Sequence, residues 1–242
     1  MGSKSRIAKY IVPIIQKYIN NSNLSLYIEP FCGGCNVIDK IKCDKKYASD
    51  INEYLIELFK HIQQELPLPD EVSKELYDDV RNSFHTKNKK YKDWYIGAVG
   101  FLASYNGRFF DGGYAKAGYE KTKNGLRYRN YYQEAKKNIL EQIPNLQDVT
   151  FESKNYHDLY PVNTVIYCDP PYQGVKQYAN SLQFDYNGFW NTMRVWSQRN
   201  IVLISEENAP DDFKCIWKQE VSRSIKATDK SKSVEKLFTY SK

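Results

Sequence analysis

The run Val165-Ile166-Tyr167-Cys168-Asp169-Pro170-Pro171-Tyr172 joins a short apolar stretch to a carboxylate, two prolines and a phenol ring. An apolar run of that length reads as a buried strand, so the residues after it leave the edge of a sheet. The prolines stiffen the backbone and carry no N–H, which frees the local carbonyls to point at a partner. A carboxylate, a fixed carbonyl and a ring can together grip a planar heterocycle that bears an amino group. A proline-rich turn would explain Pro-Pro alone; Asp before it and Tyr after it favour the ligand.

A second constellation, Glu29-Pro30-Phe31-Cys32-Gly33-Gly34-Cys35, follows an apolar run and precedes what reads as a helix from about Asn36. Glycines at the carboxyl end of a parallel strand let the backbone approach a ligand closely, although tight turns use the same residues. It is not a full G-x-G-x-x-G. Asp50, ending the next strand, could accept hydrogen bonds from a ribose diol or cap the following helix. Cys32-x-x-Cys35 with Cys43 lacks a fourth ligand at zinc-finger spacing, so no metal is expected. The histidines His61, His85 and His157 have no nucleophile partner in the sequence, and His157 beside Tyr156 reads as a surface or packing residue.

These residues need elements to place them. Ile7, Ile11, Ile14, Ile15 and Tyr18 recur at helical spacing, predicting an amphipathic helix from Ser5 to about Asn20. Strands are expected at Leu26–Glu29, Tyr47–Ser49, Val165–Cys168, Ile201–Ser205, Cys215–Val221 and Leu237–Tyr240, with a helix through Leu55, Ile56, Leu58, Phe59 and Ile62. Strand, turn, helix, strand, helix is the rhythm of a parallel α/β sheet.

With 242 residues and 41% hydrophobic residues, the chain can bury a real core, which excludes disorder and fibres. No apolar run approaches the roughly 18–20 residues of a membrane span, and the start MGSKSRIAK lacks a signal peptide's apolar stretch. Five scattered cysteines argue against a disulfide framework, so a soluble, intracellular chain is expected. The net charge of +6 is unevenly spread. Thirteen basic residues against four acidic ones lie between Arg81 and Lys137, interleaved with eight tyrosines. Cations for phosphates among rings that stack on bases suit nucleic acid, although a solvated basic face with a tyrosine-rich core has the same composition. Asn106-Gly107, Asp111-Gly112-Gly113 and Asn124-Gly125 punctuate this segment as loops or hairpins, so it reads as an insertion into the α/β domain.

The DPPY run at Asp169–Tyr172, the turn from Glu29 to Cys35 and Gly2-Ser3-Lys4 together resemble the Dam-type DNA adenine methyltransferases, which use S-adenosylmethionine. The similarity covers most of the chain in motif order. It implies a Rossmann-like class I methyltransferase fold, α/β, with a mostly parallel seven-stranded sheet. Residues 1–65 and 147–242 form the expected catalytic domain, and residues 66–146 a helical and hairpin target-recognition insertion. By resemblance, Lys4, Glu29, Phe31, Gly33 and Asp50 border the cofactor, with Asp50 on its ribose hydroxyls. Tyr156 and Asp169 lie near its adenine and methionyl parts, while Asp169, Pro170 and Tyr172 hold the target base.

Three departures stand out. The family often has an aromatic residue just upstream of the first motif, whereas here only Met1 and Gly2 precede Ser3; the contact is missing or the chain is truncated. Cys35 falls where a third glycine is frequent, and cofactor binding should survive so small a side chain. The run Leu126-Arg127-Tyr128-Arg129-Asn130 does not match the signature of GATC-reading relatives, so no recognition sequence is assigned.

The implied reaction transfers a methyl group to the amino group of an adenine in double-stranded DNA. That nitrogen shares its lone pair with the ring and is a poor nucleophile. If the Asp169 carboxylate and the Pro170 carbonyl accept its two hydrogens, its lone pair turns toward the methyl. Positioning of this kind supplies on the order of 7–11 kcal/mol, so neither a nucleophilic residue nor a metal is needed. The base must flip out of the duplex at a cost of a few kcal/mol, and Tyr172 replaces the lost stacking. Arg108, Lys116, Arg127 and Arg129 are the expected DNA contacts, with Arg108 at a groove-entering tip. Methylation at the N4 of cytosine and a DNA-binding protein that has lost transfer are the alternatives. A prokaryotic or phage-infected cytoplasm is the expected setting, with a restriction endonuclease as a possible partner of the same system.

Overall fold

The structure is a computed structural model and describes residues 4–122, 125–172, 184–222 and 232–241. Gly2, Ser3, Lys123 and Asn124 lie outside the described residues.

Nine strands are assigned among the described residues: β1 (Leu26–Glu29), β2 (Lys45–Asp50), β3 (Gly118–Thr122), β4 (Gly125–Arg129), β5 (Val149–Ser153), β6 (Val165–Cys168), β7 (Ile201–Glu206), β8 (Phe213–Ser222) and β9 (Lys232–Tyr240). Seven form one sheet in the order β5-β2-β1-β6-β7-β9-β8, and β3 with β4 makes a separate ribbon. β2, β1, β6 and β7 run parallel, whereas β9 is antiparallel to both β7 and β8. This is the mostly parallel α/β sheet that the element rhythm predicts. Strands β8 and β9 extend beyond their expected starts at Cys215 and Leu237.

The described chain divides into two compact units, Lys4–Ser49 with Lys154–Lys242, and Asp50–Ser153. In the first, α1 (Ser5–Asn20) buries Ile7, Ala8, Ile11, Ile15 and Ile19 on one stripe, as its spacing demands. Helix α7 (Tyr186–Trp196) buries Phe189, Trp190, Met193 and Trp196 in one cluster with Ile166, Cys168, Val202, Ile204 and Phe238 of the sheet. The helix expected from Asn36 is a correction: only a 3-10 turn, Ile38–Lys40, forms there. Val37, Ile38 and Ile41 are all buried, and β2 begins four residues after Ile41, which leaves no length for helical turns.

The second unit contains the helices α2 (Glu53–Gln63), α3 (Lys74–Thr86), α4 (Asp93–Leu102), α5 (Tyr131–Leu140) and the short α6 (Ile143–Leu146). Every residue of α4 from Ile96 to Leu102 is buried, so it is the central helix of this unit. A Cβ at Gly97 would fall 2.1 Å from the Tyr54 carbonyl oxygen, so α2 and α4 approach as closely as they do only over a glycine.

Candidate active site

The strand order reverses between β1 and β6: the chain steps from β1 to β2 on one side, and β6 and β7 lie on the other. Open sheets bind ligands outside the carboxyl ends of their strands at such a point. Three acids stand there, Glu29 as the last residue of β1, Asp169 directly after β6 and Glu206 as the last residue of β7. Pro170 is buried and Pro171 exposed.

Asp169 and Tyr172 meet Lys4. The Lys4 Nζ lies 2.9 Å from Asp169 Oδ1, donates to the Tyr172 hydroxyl at 2.5 Å and sits 4.3 Å from the Tyr172 ring centroid. Glu235 on β9 completes the group: its Oε2 accepts from the Tyr172 hydroxyl at 2.7 Å and lies 3.4 Å from Lys4 Nζ. Lys4 is the N-cap residue of α1; its ammonium, a donor with no lone pair for the helix's free N–H groups, points to this cluster instead. Burial opposes the charge on Lys4, but Asp169 and Glu235 outweigh it and raise its pKa. Burial raises the Asp169 pKa, Lys4 offsets this only in part, and Glu235 adds to the rise.

Glu29 is fully buried and accepts a hydrogen bond from the Tyr27 hydroxyl at 2.7 Å. Desolvation pushes its pKa up to about 8, the Tyr27 bond lowers it, and the nearby Asp169 charge raises it further. Beyond Glu29 the chain turns sharply. Cys35 N donates to the Cys32 carbonyl at 2.8 Å, and Gly33 (φ 47°) and Cys35 (φ 54°) both take left-handed backbone. That conformation explains why glycine is favoured at the position Cys35 fills.

Phe31 leaves this turn toward Tyr156, whose ring centroid is 5.0 Å away, and both rings contact Phe184 and Phe189. His157 is exposed and packs its ring 4.0 Å from that of Tyr156, as expected of a surface or packing residue. The buried Tyr156 hydroxyl has no hydrogen-bond partner among the described residues, an arrangement that a polar ligand would complete. An aromatic wall with one orphaned hydroxyl, a glycine turn and a buried carboxylate fits S-adenosylmethionine, which offers a purine, a ribose and an amino acid end.

Asp50 belongs to the second unit. Its Oδ1 accepts from Asn52 N at 3.0 Å, and the cap of α2 is Asn52 itself, accepting from Leu55 N at 3.2 Å. Arg108, Lys116 and Arg127 are exposed in this unit. Arg129 is half-buried: its Nε donates to Glu134 at 3.0 Å, and its guanidinium carbon lies 4.5 Å from the Tyr131 ring centroid. The β3–β4 ribbon exposes Tyr119, Leu126 and Tyr128, with the two tyrosine rings 5.3 Å apart.

The D12 class N6 adenine-specific DNA methyltransferase profile matches residues 1–198. The chain belongs to that family. Membership makes it an adenine-specific DNA methyltransferase with S-adenosylmethionine as methyl donor. Over 215 residues it is 26% identical to the type II methyltransferase M.MjaIII of Methanocaldococcus jannaschii, covering 77% of this chain and 73% of that protein. It is 27% identical to the DNA adenine methylase of Vibrio cholerae over 67% of this chain and 61% of that enzyme. The modification methylase StsI of Streptococcus sanguinis is 24% identical over 71% of this chain, of which it is a much longer relative, 28% covered. Among solved structures, the rRNA methyltransferase aviRa of Streptomyces viridochromogenes matches with a TM-score of 0.42 at 8% identity, covering 98% of this chain and 84% of that one.

For this D12 methyltransferase the sequence singles out Asp169, Tyr172 and Lys4, which the structure brings together, but not Glu235, Glu206 or the Tyr27–Glu29 bond. Glu206 follows the same rule as Asp169, an acid at the carboxyl end of an apolar strand. Glu235 carries no such signal, because it lies in the part of β9 that precedes the apolar Leu237–Tyr240. Among the described residues no group of three or more His, Cys, Asp or Glu is placed to hold a metal ion, and no helix is long and apolar enough to cross a membrane.

Proposed function

We propose that Asp169, Pro170 and Tyr172 form the pocket for a flipped adenine, and that Glu29, Phe31, Gly33 and Tyr156 hold S-adenosylmethionine beside it, with Lys4 at their border. One observation carries this reading: the Asp169 carboxylate engages a nitrogen donor that lies 4.3 Å from the Tyr172 ring centroid. An adenine amino group stacked on Tyr172 presents the same two features. When bound, S-adenosylmethionine supplies an electrophilic methyl on a sulfonium.

The residues of the chain do the rest by placement. Asp169 and the Pro170 carbonyl accept the amino hydrogens, and the positive charge that develops on the nitrogen faces the Asp169 carboxylate. Tyr172 replaces the stacking lost on flipping. Phe31 and Tyr156 flank the cofactor's purine, and the orphaned Tyr156 hydroxyl has a polar atom to meet there.

Residues 66–146 act as the target-recognition insertion. Arg108, Lys116 and Arg127 supply exposed cations, and Arg129 braces the β3–β4 ribbon through Glu134. The exposed Tyr119 and Tyr128 rings offer stacking surface. Action within a prokaryotic or phage-infected cytoplasm, with a restriction endonuclease acting on the same DNA, suits a chain similar to type II and modification methylases. The test incubates the protein with methyl-labelled S-adenosylmethionine and mixed-sequence duplex DNA, then digests to nucleosides. Label in 6-methyladenine is expected; label in cytosine, or none, overturns the reading.

A further inference from the structure

Two carboxylates share one ammonium in the pocket. Lys4 Nζ is 2.9 Å from Asp169 Oδ1 and 3.4 Å from Glu235 Oε2, with side chains 10%, 19% and 15% exposed. A hydrogen on that ammonium and a hydrogen on the incoming amino group compete for the same Asp169 oxygen. A buried ammonium cannot simply be left without a counter-charge, because an isolated charge in such a place is costly. Glu235 is that counter-charge, a few tenths of an ångström from full hydrogen-bond distance, and through Tyr172 it already touches the ring on which the base is to stack.

We propose that Glu235 is a positioning residue for methyl transfer: it draws the Lys4 ammonium off Asp169 as the flipped base enters, and it fixes the tilt of the Tyr172 ring. This rests on the pocket assignment above. Glu235 itself reaches neither the base nor the methyl; it acts through Lys4 and Tyr172. A neutral side chain of the same shape can still accept from Tyr172 but cannot balance Lys4, so Asp169 would stay occupied. The consequence is a slower chemical step, not weaker binding of either substrate.

The test compares wild type, Glu235→Gln and Glu235→Asp on mixed-sequence duplex DNA, with S-adenosylmethionine affinity read separately by calorimetry. Glu235→Gln should lower kcat about 10- to 100-fold, the usual loss when a supporting contact is removed. KM for DNA and the S-adenosylmethionine Kd should stay within about twofold of wild type, and Glu235→Asp, which keeps the carboxylate, should recover most of the rate. The proposal is overturned if Glu235→Gln retains wild-type kcat, if its defect lies in KM alone, or if Glu235→Asp is as slow as Glu235→Gln. Should Glu235→Gln fail to bind S-adenosylmethionine, Glu235→Asp decides: a rate near wild type supports the proposal and a tenfold loss overturns it. Wild-type protein that methylates no adenine overturns the pocket assignment and this proposal together, whereas active wild type with a normal Glu235→Gln overturns this proposal alone.

Discussion

The Tyr27 hydroxyl donates to Glu29 at 2.7 Å, and the two side chains are 0% and 2% exposed. Burial dominates this pair and lifts the Glu29 pKa from 4.5 to about 8. The folded chain therefore holds a proton that the unfolded chain releases more easily. Its stabilising contribution is complete below about pH 4.5 and is lost as pH rises through about 8. Glu29→Gln, neutral at every pH, should flatten the fall in Tm between about pH 5 and about pH 9, measured without S-adenosylmethionine. Tyr27→Phe, which strands the carboxyl, should cost about 1–3 kcal/mol at neutral pH in chemical denaturation. Parallel Tm profiles for wild type and Glu29→Gln would refute the coupling.

Asp169 must be ionised to accept an amino hydrogen and to face the charge that develops on the nitrogen, and burial holds its pKa above the ordinary carboxylate value, with Lys4 only partly offsetting this. The rate of methyl transfer should therefore fall on the acid side from a pH above the roughly 3.9 of a free aspartate. Asp169→Ala should lower kcat about 10²–10³-fold, the scale set by removing one preorganised electrostatic contact, while retaining DNA in a filter-binding assay. An active Asp169→Ala protein would remove the carboxylate from the reaction.

Gly97 lets α4 lie directly against the Tyr54 carbonyl of α2. Gly97→Ala must push the two helices apart, at about 3 kcal/mol or more, since overpacking a fully buried contact is costly. The loss should show as a lower Tm, by roughly 2–4 °C per kcal/mol for a chain of this size. An unchanged Tm would contradict the helix approach.

The exposed Arg127 on β4 is assigned to phosphate contact. Arg127→Ala should weaken binding about equally across DNA sequences and reduce the slope of log K against log salt by about one. Arg129→Ala should behave differently: with its guanidinium held by Glu134, its loss should loosen the ribbon, read as greater amide exchange in residues 118–129. A unit change in salt slope for Arg129→Ala would place its charge on DNA instead.

Much of this arrangement is legible in the residues themselves. The apolar strand that leads into Asp169-Pro170-Pro171-Tyr172 announces its element, and Ile7 to Ile15 mark α1 by spacing alone. The 3-10 turn at Ile38 was hidden because Val37, Ile38 and Ile41 resemble a helical stripe locally, while the constraint that forbids a helix is the nearness of β2. Helix α4 was hidden for the opposite reason: buried all round, it has no polar face to give it a period. Glu235 is invisible for a third reason. Its meaning depends on Lys4, and only the folded chain puts the two side by side.

That pairing has a consequence for the timing of synthesis. Lys4 and Glu235 are 231 positions apart, so at roughly 5–20 residues per second the ammonium leaves the ribosome about 10 to 50 seconds before its second carboxylate. Until β9 has been made and slotted between β7 and β8, the nascent chain has Lys4 but lacks the Glu235 carboxylate that meets it in the folded sheet.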